Sequence, residues 1–98
     1  MQSFAEATPL FYQGHIPIVA YFVIEGEVNL LKNKKPKSIV SPLEVIGVRE
    51  LLTATPSTVS GEAAPNSTIC YLDRSTILAI LKEDYSALSE YFRNLLNN

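Results

Sequence analysis

One segment of the chain, residues 47–63, has residue types and spacing that could hold a small anion. Gly47 opens a short apolar turn of helix, Pro56 follows nine positions later, and a run of small residues comes next. A helix start offers free backbone N–H groups and a partial positive charge, both of which favour a bound phosphate. Such a site normally adds an Arg that pairs two phosphate oxygens at once. The segment therefore has the shape of a phosphate-binding loop but lacks the charges that such a loop needs.

Short strands followed by helices are the elements that would position this segment. Glycines and prolines recur between β-rich stretches before Asp73, a pattern typical of an all-β sandwich or barrel. A strand that runs into a turn is predicted at residues 11–14, and further strands at 21–24, 27–32, 37–40, 58–60 and 68–72, with a hairpin tip at 33–36. After Asp73 the apolar period becomes helical, and Asp73 or Ser75 is expected to cap a helix that runs through Leu81. We therefore predict one mainly β domain over residues 1–98, an antiparallel β-roll or jelly roll over about 9–73 with C-terminal helices over about 75–96.

Three stretches of the chain resemble the cyclic-nucleotide-binding domain family, found in catabolite-activator-type transcription factors, kinase regulatory subunits and gated channels. The matching stretches are Gln13-Gly14 with residues 21–28, residues 41–47, and residues 47–63. The resemblance covers about residues 9–96 and implies a double-stranded β-helix. The family usually has a helix before its first strand, so residues 1–8 are expected to hold one helical turn or no helix.

The same resemblance implies a cassette in which a Glu follows the Gly and an Arg follows the Pro, whereas this chain has Val48 and Ser57 there. Hydrogen bonds to charged groups contribute about 1.5–3 kcal/mol each, so losing both groups should weaken cyclic nucleotide binding at least about a hundredfold. Arg49 should point away from the site, and Glu50 could substitute only through a two-residue shift in register. The candidate ligand-binding residues of this degenerate cassette are Gly47, Val48, Arg49, Glu50, Leu51, Ser57 and Thr58.

The composition excludes several functional classes. The net charge of −2 gives no general attraction to nucleic acid, and the longest apolar run has nine residues where a membrane span needs about 20. A single cysteine, Cys70, fits a reducing compartment, so a cytoplasmic location is the expectation. With His15 as the only histidine, we predict no metal site and no cofactor. No catalytic set can be assembled, and a cupin-like enzyme of the same roll shape would need a cluster of His and carboxylate ligands.

Two surface features leave alternatives open. The lysines at 32, 34, 35 and 37 form either a solvated hairpin tip that discourages edge pairing or a patch for an acidic partner. In the tail, Tyr85, Leu88, Phe92 and Leu95 follow a helical stripe that Tyr91 widens. The stripe either packs on the roll or forms an interaction surface with Tyr85, Leu88, Tyr91, Phe92 and Leu95 as its residues.

The leading hypothesis is a non-catalytic, bacterial-type signalling module of the cyclic-nucleotide-binding kind, with a protein partner or a homodimer as its means of action. The alternative is a regulatory domain that binds a cyclic nucleotide or another small ligand in a non-standard way.

Overall fold

A computed structural model describes residues 1–82, 90–91 and 93–94 of the chain. Two four-stranded antiparallel sheets enclose one apolar layer, and helices cover the outer face of one sheet. The strands are β1 (Gln2–Phe4), β2 (Thr8–Phe11), β3 (Ala20–Glu25), β4 (Val28–Lys32), β5 (Lys35–Val40), β6 (Val45–Ile46), β7 (Ser60–Ala63) and β8 (Ser67–Leu72). The helices are α1 (Val48–Thr53) and α2 (Arg74–Leu81), and residues 90, 91, 93 and 94 also have helical backbone. The predicted mainly β antiparallel roll with C-terminal helices is confirmed.

The layer between the sheets follows from strand register. One sheet has the order β1-β8-β3-β6 and the other β2-β7-β4-β5. Val23 of β3 lies opposite Ile69 of β8, while Val28 of β4 lies opposite both Val40 and Ala63. Because side chains alternate along a strand, these valines and their partners face inward together. They form one buried cluster that Tyr21 joins.

A second apolar layer lies between the first sheet and the helices. Ala20 and Val45 from the sheet pack with Val48 and Leu51 of α1 and with Ile77 of α2. Residues three or four positions apart share one face of a helix, so the same turn of α1 supplies both of its buried side chains. This layer fixes how α1 sits against the roll.

The structure differs from the predicted elements at several places; β2 ends at Phe11, where a strand was predicted to begin, and β6 was not predicted. Residues 2–4, expected to be one helical turn or no helix, form β1 and pair with residues 67–69 of β8, so the roll begins before residue 9. The strand predicted at 58–60 begins at Ser60, because residues 57–59 form a hydrogen-bonded turn. The hairpin tip is only two residues long, Asn33 and Lys34, both with positive φ (54° and 67°), as a two-residue turn of the primed type requires.

Side-chain caps secure both helices. The Asp73 carboxylate accepts from the Thr76 N–H at 2.8 Å and from the Ser75 hydroxyl at 3.2 Å, which confirms the predicted Asp73 cap. These hydrogen bonds, first of all that from the Thr76 backbone, lower the pKa of Asp73. The Arg74 guanidinium donates to the carbonyls of Leu51 and Leu52, each at 3.0 Å, at the carboxyl end of α1. Arg74 therefore ties the start of α2 to the end of α1.

The predicted interaction stripe falls almost entirely beyond the described residues. Tyr85, Leu88, Phe92 and Leu95 are not among them. Tyr91 is partly buried and packs against the cluster that contains Ile77, so this member of the stripe faces the roll. Within the part of the chain that the structure describes, no helix is both long and apolar enough to cross a membrane.

Candidate ligand cavity beside the first helix

A cavity of about 150 Å³ lies at the start of α1, where the two sheets approach each other. Its walls are mostly apolar and come from both sheets, and a few polar groups come from the cassette. The lining residues are Phe11, Pro17, Tyr21, Leu30, Ile46, Gly47, Glu50, Ser57 and Val59. The predicted cassette and the roll interior therefore meet at this one place.

The helical turn after Gly47 decides which cassette residues reach the cavity. Gly47 precedes the helix with φ at 87°, a conformation that favours glycine, and Glu50 follows three positions later on the same side. Both line the cavity. Val48 and Leu51 point the other way into the helix-covered layer, at 4% and 6% exposure, while Arg49 is exposed. Glu50 therefore lines the cavity without a two-residue shift in register, although such a shift was expected to be necessary. The spacing of the cassette is unchanged, because Pro56 follows Gly47 by nine positions.

Ser57 lines the cavity, but its hydroxyl is used locally. The Ser57 Oγ donates to the carbonyl of Val59 at 2.6 Å and accepts from the Val59 N–H at 3.3 Å. Its backbone is fixed as well, because the Ser57 N–H donates to the His15 carbonyl and the Gly14 N–H donates to the Ser57 carbonyl. Ser57 is buried, whereas Thr58 is exposed and does not line the cavity.

Two aromatic rings that the sequence analysis did not assign to the site form part of the wall. Phe11 and Tyr21 stack with their ring centroids 5.3 Å apart, and Tyr71 meets Tyr21 edge-on at 5.4 Å. The Tyr21 hydroxyl donates to the carbonyl of Leu10 at 3.0 Å. Burial, followed by the neighbouring Tyr71, raises the pKa of Tyr21, so its phenol stays neutral. The alternation of inward-facing and outward-facing residues along β3 could have indicated from the sequence that Tyr21 faces inward.

The charge of the cavity is the reverse of that of a phosphate site. Among the described lining residues Glu50 is the only charged side chain, and no Lys, Arg or His accompanies it. The Glu50 carboxylate makes no hydrogen bond or ion pair with any described residue. The cavity volume is also below the roughly 300–1,000 Å³ of typical small-molecule sites. The arrangement can accept a hydrogen bond or balance a positive charge, but it offers no cation to an anion.

Other features predicted from the sequence lie away from this cavity. Gln13, Asn33 and Lys34 border a separate open groove of about 700 Å³. The Gln13 side-chain amide donates to the Asn33 Oδ1 at 3.1 Å and accepts from the Asn33 backbone N–H at 2.9 Å. His15 is exposed in the turn after β2, and Cys70 is partly exposed in β8. Within the described residues, no group of three or more His, Cys, Asp or Glu side chains could hold a metal ion.

Comparison with known proteins gives the same fold. The profile of the family described as "Cyclic nucleotide-binding domain" matches residues 1–84. The catabolite activator protein of Thermus thermophilus superimposes with a TM-score of 0.81 at 23% identity, over 98% of this chain and 47% of that one. Cyclic-AMP-bound PfPKA-R superimposes with a TM-score of 0.77 at 20% identity, over 98% of this chain and 33% of the other.

A curated relative is named as an enzyme. The chain is 33% identical over 84 residues to a 7,8-dihydro-6-hydroxymethylpterin dimethyltransferase of Methanocaldococcus jannaschii. The match takes in 83% of this chain but only 16% of that protein. The similarity therefore concerns a small part of the Methanocaldococcus jannaschii protein.

Proposed function

The chain belongs to the cyclic nucleotide-binding domain family, and from this we propose that it is a non-catalytic signalling module whose cassette no longer holds a cyclic nucleotide. In this proposal it acts through a protein partner or as a homodimer. The observation that carries the proposal is the cavity beside α1. It has a volume of about 150 Å³, and Glu50 is its one charged side chain among the described lining residues.

Electrostatics supports the loss of cyclic nucleotide binding. A cyclic phosphate is an anion, and Glu50 would be the nearest charged group of the lining. At an effective dielectric constant of about 20, two like charges about 5 Å apart repel by about 3 kcal/mol. The Arg that offsets such repulsion by pairing two phosphate oxygens is replaced by Ser57, whose hydroxyl already bonds Val59. Repulsion without compensation should cost about a hundredfold in affinity on its own.

The absence of catalysis is part of the proposal. The methyltransferase name belongs to a protein of which this chain matches 16%, so it does not assign that reaction to the matched part. The charged and hydroxyl groups that line the cavity are Glu50, Ser57 and Tyr21, and both hydroxyls are committed to backbone carbonyls. We therefore assign the domain a regulatory role.

We place the partner surface on the C-terminal stripe. Tyr91 packs against the cluster around Ile77, and in the proposal it anchors the tail while Leu88 and the other members of the stripe contact the partner. Analytical ultracentrifugation of the whole chain tests the homodimer form. We expect Leu88→Glu to raise the dimer dissociation constant at least about tenfold, because it places a charge in an apolar contact. Lys82→Glu, an exposed position at the end of α2, is the control. A dissociation constant that neither variant changes would remove the stripe as the dimer contact.

Thermal unfolding with added cyclic AMP or cyclic GMP tests the loss of the nucleotide site. A ligand at about 100 times its dissociation constant stabilises a protein by about 2.7 kcal/mol, which raises the Tm of a domain of this size by at least about 10 °C. We expect either nucleotide at millimolar concentration to change the Tm by less than about 1 °C. A shift near 10 °C would contradict the proposal.

One observation favours the alternative of a regulatory domain with a non-standard ligand. Gly47 and Glu50 both line a cavity, so the cassette keeps a backbone wall and one hydrogen-bond acceptor. If a nucleotide does raise the Tm, Glu50→Gln decides between the readings. A shift that this variant changes in either direction would assign the ligand to this cavity, whereas an unchanged shift would assign it elsewhere.

A further inference from the structure

We propose that the cavity beside α1 is a binding site for a small organic ammonium ion, such as a short alkylamine or a methylated amine. The Glu50 carboxylate would balance the charge, and the apolar wall with Phe11 and Tyr21 would enclose the carbon atoms. The inference goes beyond the proposed function, because it gives the cavity a ligand of charge opposite to that of a cyclic nucleotide. It stands or falls independently of any protein partner.

The hydrogen bonds that the polar groups of the lining already make define the chemistry of the ligand. The Ser57 hydroxyl both donates to and accepts from the backbone of Val59. The Tyr21 hydroxyl donates to the Leu10 carbonyl. Among the described side chains of the lining, only the Glu50 carboxylate lacks a partner. A ligand that fits should therefore carry one positive charge and be apolar elsewhere, because further polar groups would be buried without partners.

The volume sets the size of that ligand. A volume of about 150 Å³ is well below the roughly 300–1,000 Å³ of typical small-molecule sites, so it favours a small ion. A sphere of that volume is about 7 Å across, which keeps a bound cation within the about 6 Å at which an aromatic ring attracts it. Tetramethylammonium, with five heavy atoms, matches both limits. A nucleotide or a sugar exceeds them.

The start of α1 reduces the negative charge of the cavity without cancelling it. The free N–H groups at a helix start act as about half a positive charge, and α1 is only six residues long. The full negative charge of Glu50 lies in the first turn of the same helix. The net potential at the cavity is therefore negative, and it favours a cation.

Nuclear magnetic resonance titration of the ¹⁵N-labelled chain with tetramethylammonium chloride tests the proposal. We expect saturable shifts centred on the amides of Gly47, Glu50, Ser57 and Val59, with a millimolar dissociation constant. Sodium chloride at the same concentration controls for ionic strength, and tert-butanol is a neutral ligand of the same size. Tert-butanol should bind at least about tenfold more weakly, since it lacks the charge.

Two variants and a matched control locate the site. Glu50→Gln keeps the shape of the side chain and should weaken tetramethylammonium binding at least about tenfold. Glu62→Gln removes the same charge from a carboxylate that does not line the cavity, and it should leave binding unchanged. Val59→Leu keeps the carboxylate but reduces the cavity, so it should also abolish binding. The dispersion of each spectrum reports whether the variant is folded.

Three results would overturn the proposal. They are shifts that sodium chloride reproduces, equal affinity for tert-butanol, and an unchanged dissociation constant in Glu50→Gln. A separate titration with cyclic AMP tests the proposed function. Tight binding of cyclic AMP would remove the proposed function, whereas failure of tetramethylammonium alone would remove only this inference.

Discussion

The substitution Val48→Glu separates what the family resemblance implies from what the structure shows. By resemblance, residue 48 holds the place of a Glu that contacts the nucleotide, so the change would be expected to restore a ligand contact. In the structure Val48 is 4% exposed and packs with Ala20, Val45 and Ile77 in the layer beneath the helices. A carboxylate at this position would be buried without a partner, so we expect loss of stability and no gain of nucleotide binding.

The magnitude follows from burial. An unpaired charge left in a protein interior costs about 3–5 kcal/mol, and a domain of this size is typically stable by only about 5–15 kcal/mol. Val48→Glu should therefore lose about 4 kcal/mol of unfolding free energy at pH 7. Burial would raise the pKa of the new carboxyl above its unfolded value of about 4.3, so the folded state would bind the proton more tightly. The loss should then shrink by about 1.4 kcal/mol for each pH unit below the folded pKa, until the unfolded pKa is reached.

Urea denaturation followed by circular dichroism at pH 7 and pH 5 measures both effects. Thr58→Glu is the matched control, because it adds the same charge at an exposed cassette position and should change stability by less than about 0.5 kcal/mol. The reasoning is refuted if Val48→Glu is as stable as the control, or if it binds cyclic AMP at micromolar concentration.

Three further substitutions test local features by the same urea denaturation. Ser67→Ala removes a fully buried hydroxyl that accepts from the Glu27 N–H at 3.1 Å, and it should cost about 1–3 kcal/mol because that N–H loses its partner. A loss below about 0.5 kcal/mol would contradict this. Lys34→Gly should stabilise the chain by about 0.5–1 kcal/mol, since Lys34 has φ at 67° and glycine adopts that region without strain; a destabilised variant would refute the turn assignment. Arg74→Gln should cost about 1 kcal/mol, because it removes the charged donor from the Leu51 carbonyl, and the reasoning fails if Lys37→Gln, at an exposed strand position, costs as much.

Local sequence signals were enough to predict most of the fold. Alternation and turn residues located β3, β4 and β8, and of the two caps expected for the helix after them, Asp73 or Ser75, the structure has Asp73. The N-terminal strand was missed because residues 2–4 become a strand only through pairing with β8, which no local pattern records. The start of β7 was placed two residues early, because the Ser57 hydroxyl bonds Val59 and turns the chain before Ser60.

The position-by-position match to the family predicted the backbone of the cassette better than the directions of its side chains. The spacing of Gly47 and Pro56 indicated the fold, but matching residue 48 to the Glu of the family said nothing about direction. The helix that begins at Val48 places Glu50 on the side of Gly47 and turns Val48 into the core. The rule that residues three apart share a face would have predicted this. The aromatic wall from Phe11 could not be predicted, because it depends on how strands of the two different sheets meet.

Isothermal titration calorimetry of the whole chain with cyclic AMP tests the central claim most directly. The cavity beside α1 presents Glu50 and no cation among its described lining residues, and for this reason we propose that it does not bind a cyclic phosphate tightly. We expect no measurable heat of binding, or a dissociation constant in the millimolar range. A dissociation constant in the micromolar range or tighter would contradict the claim.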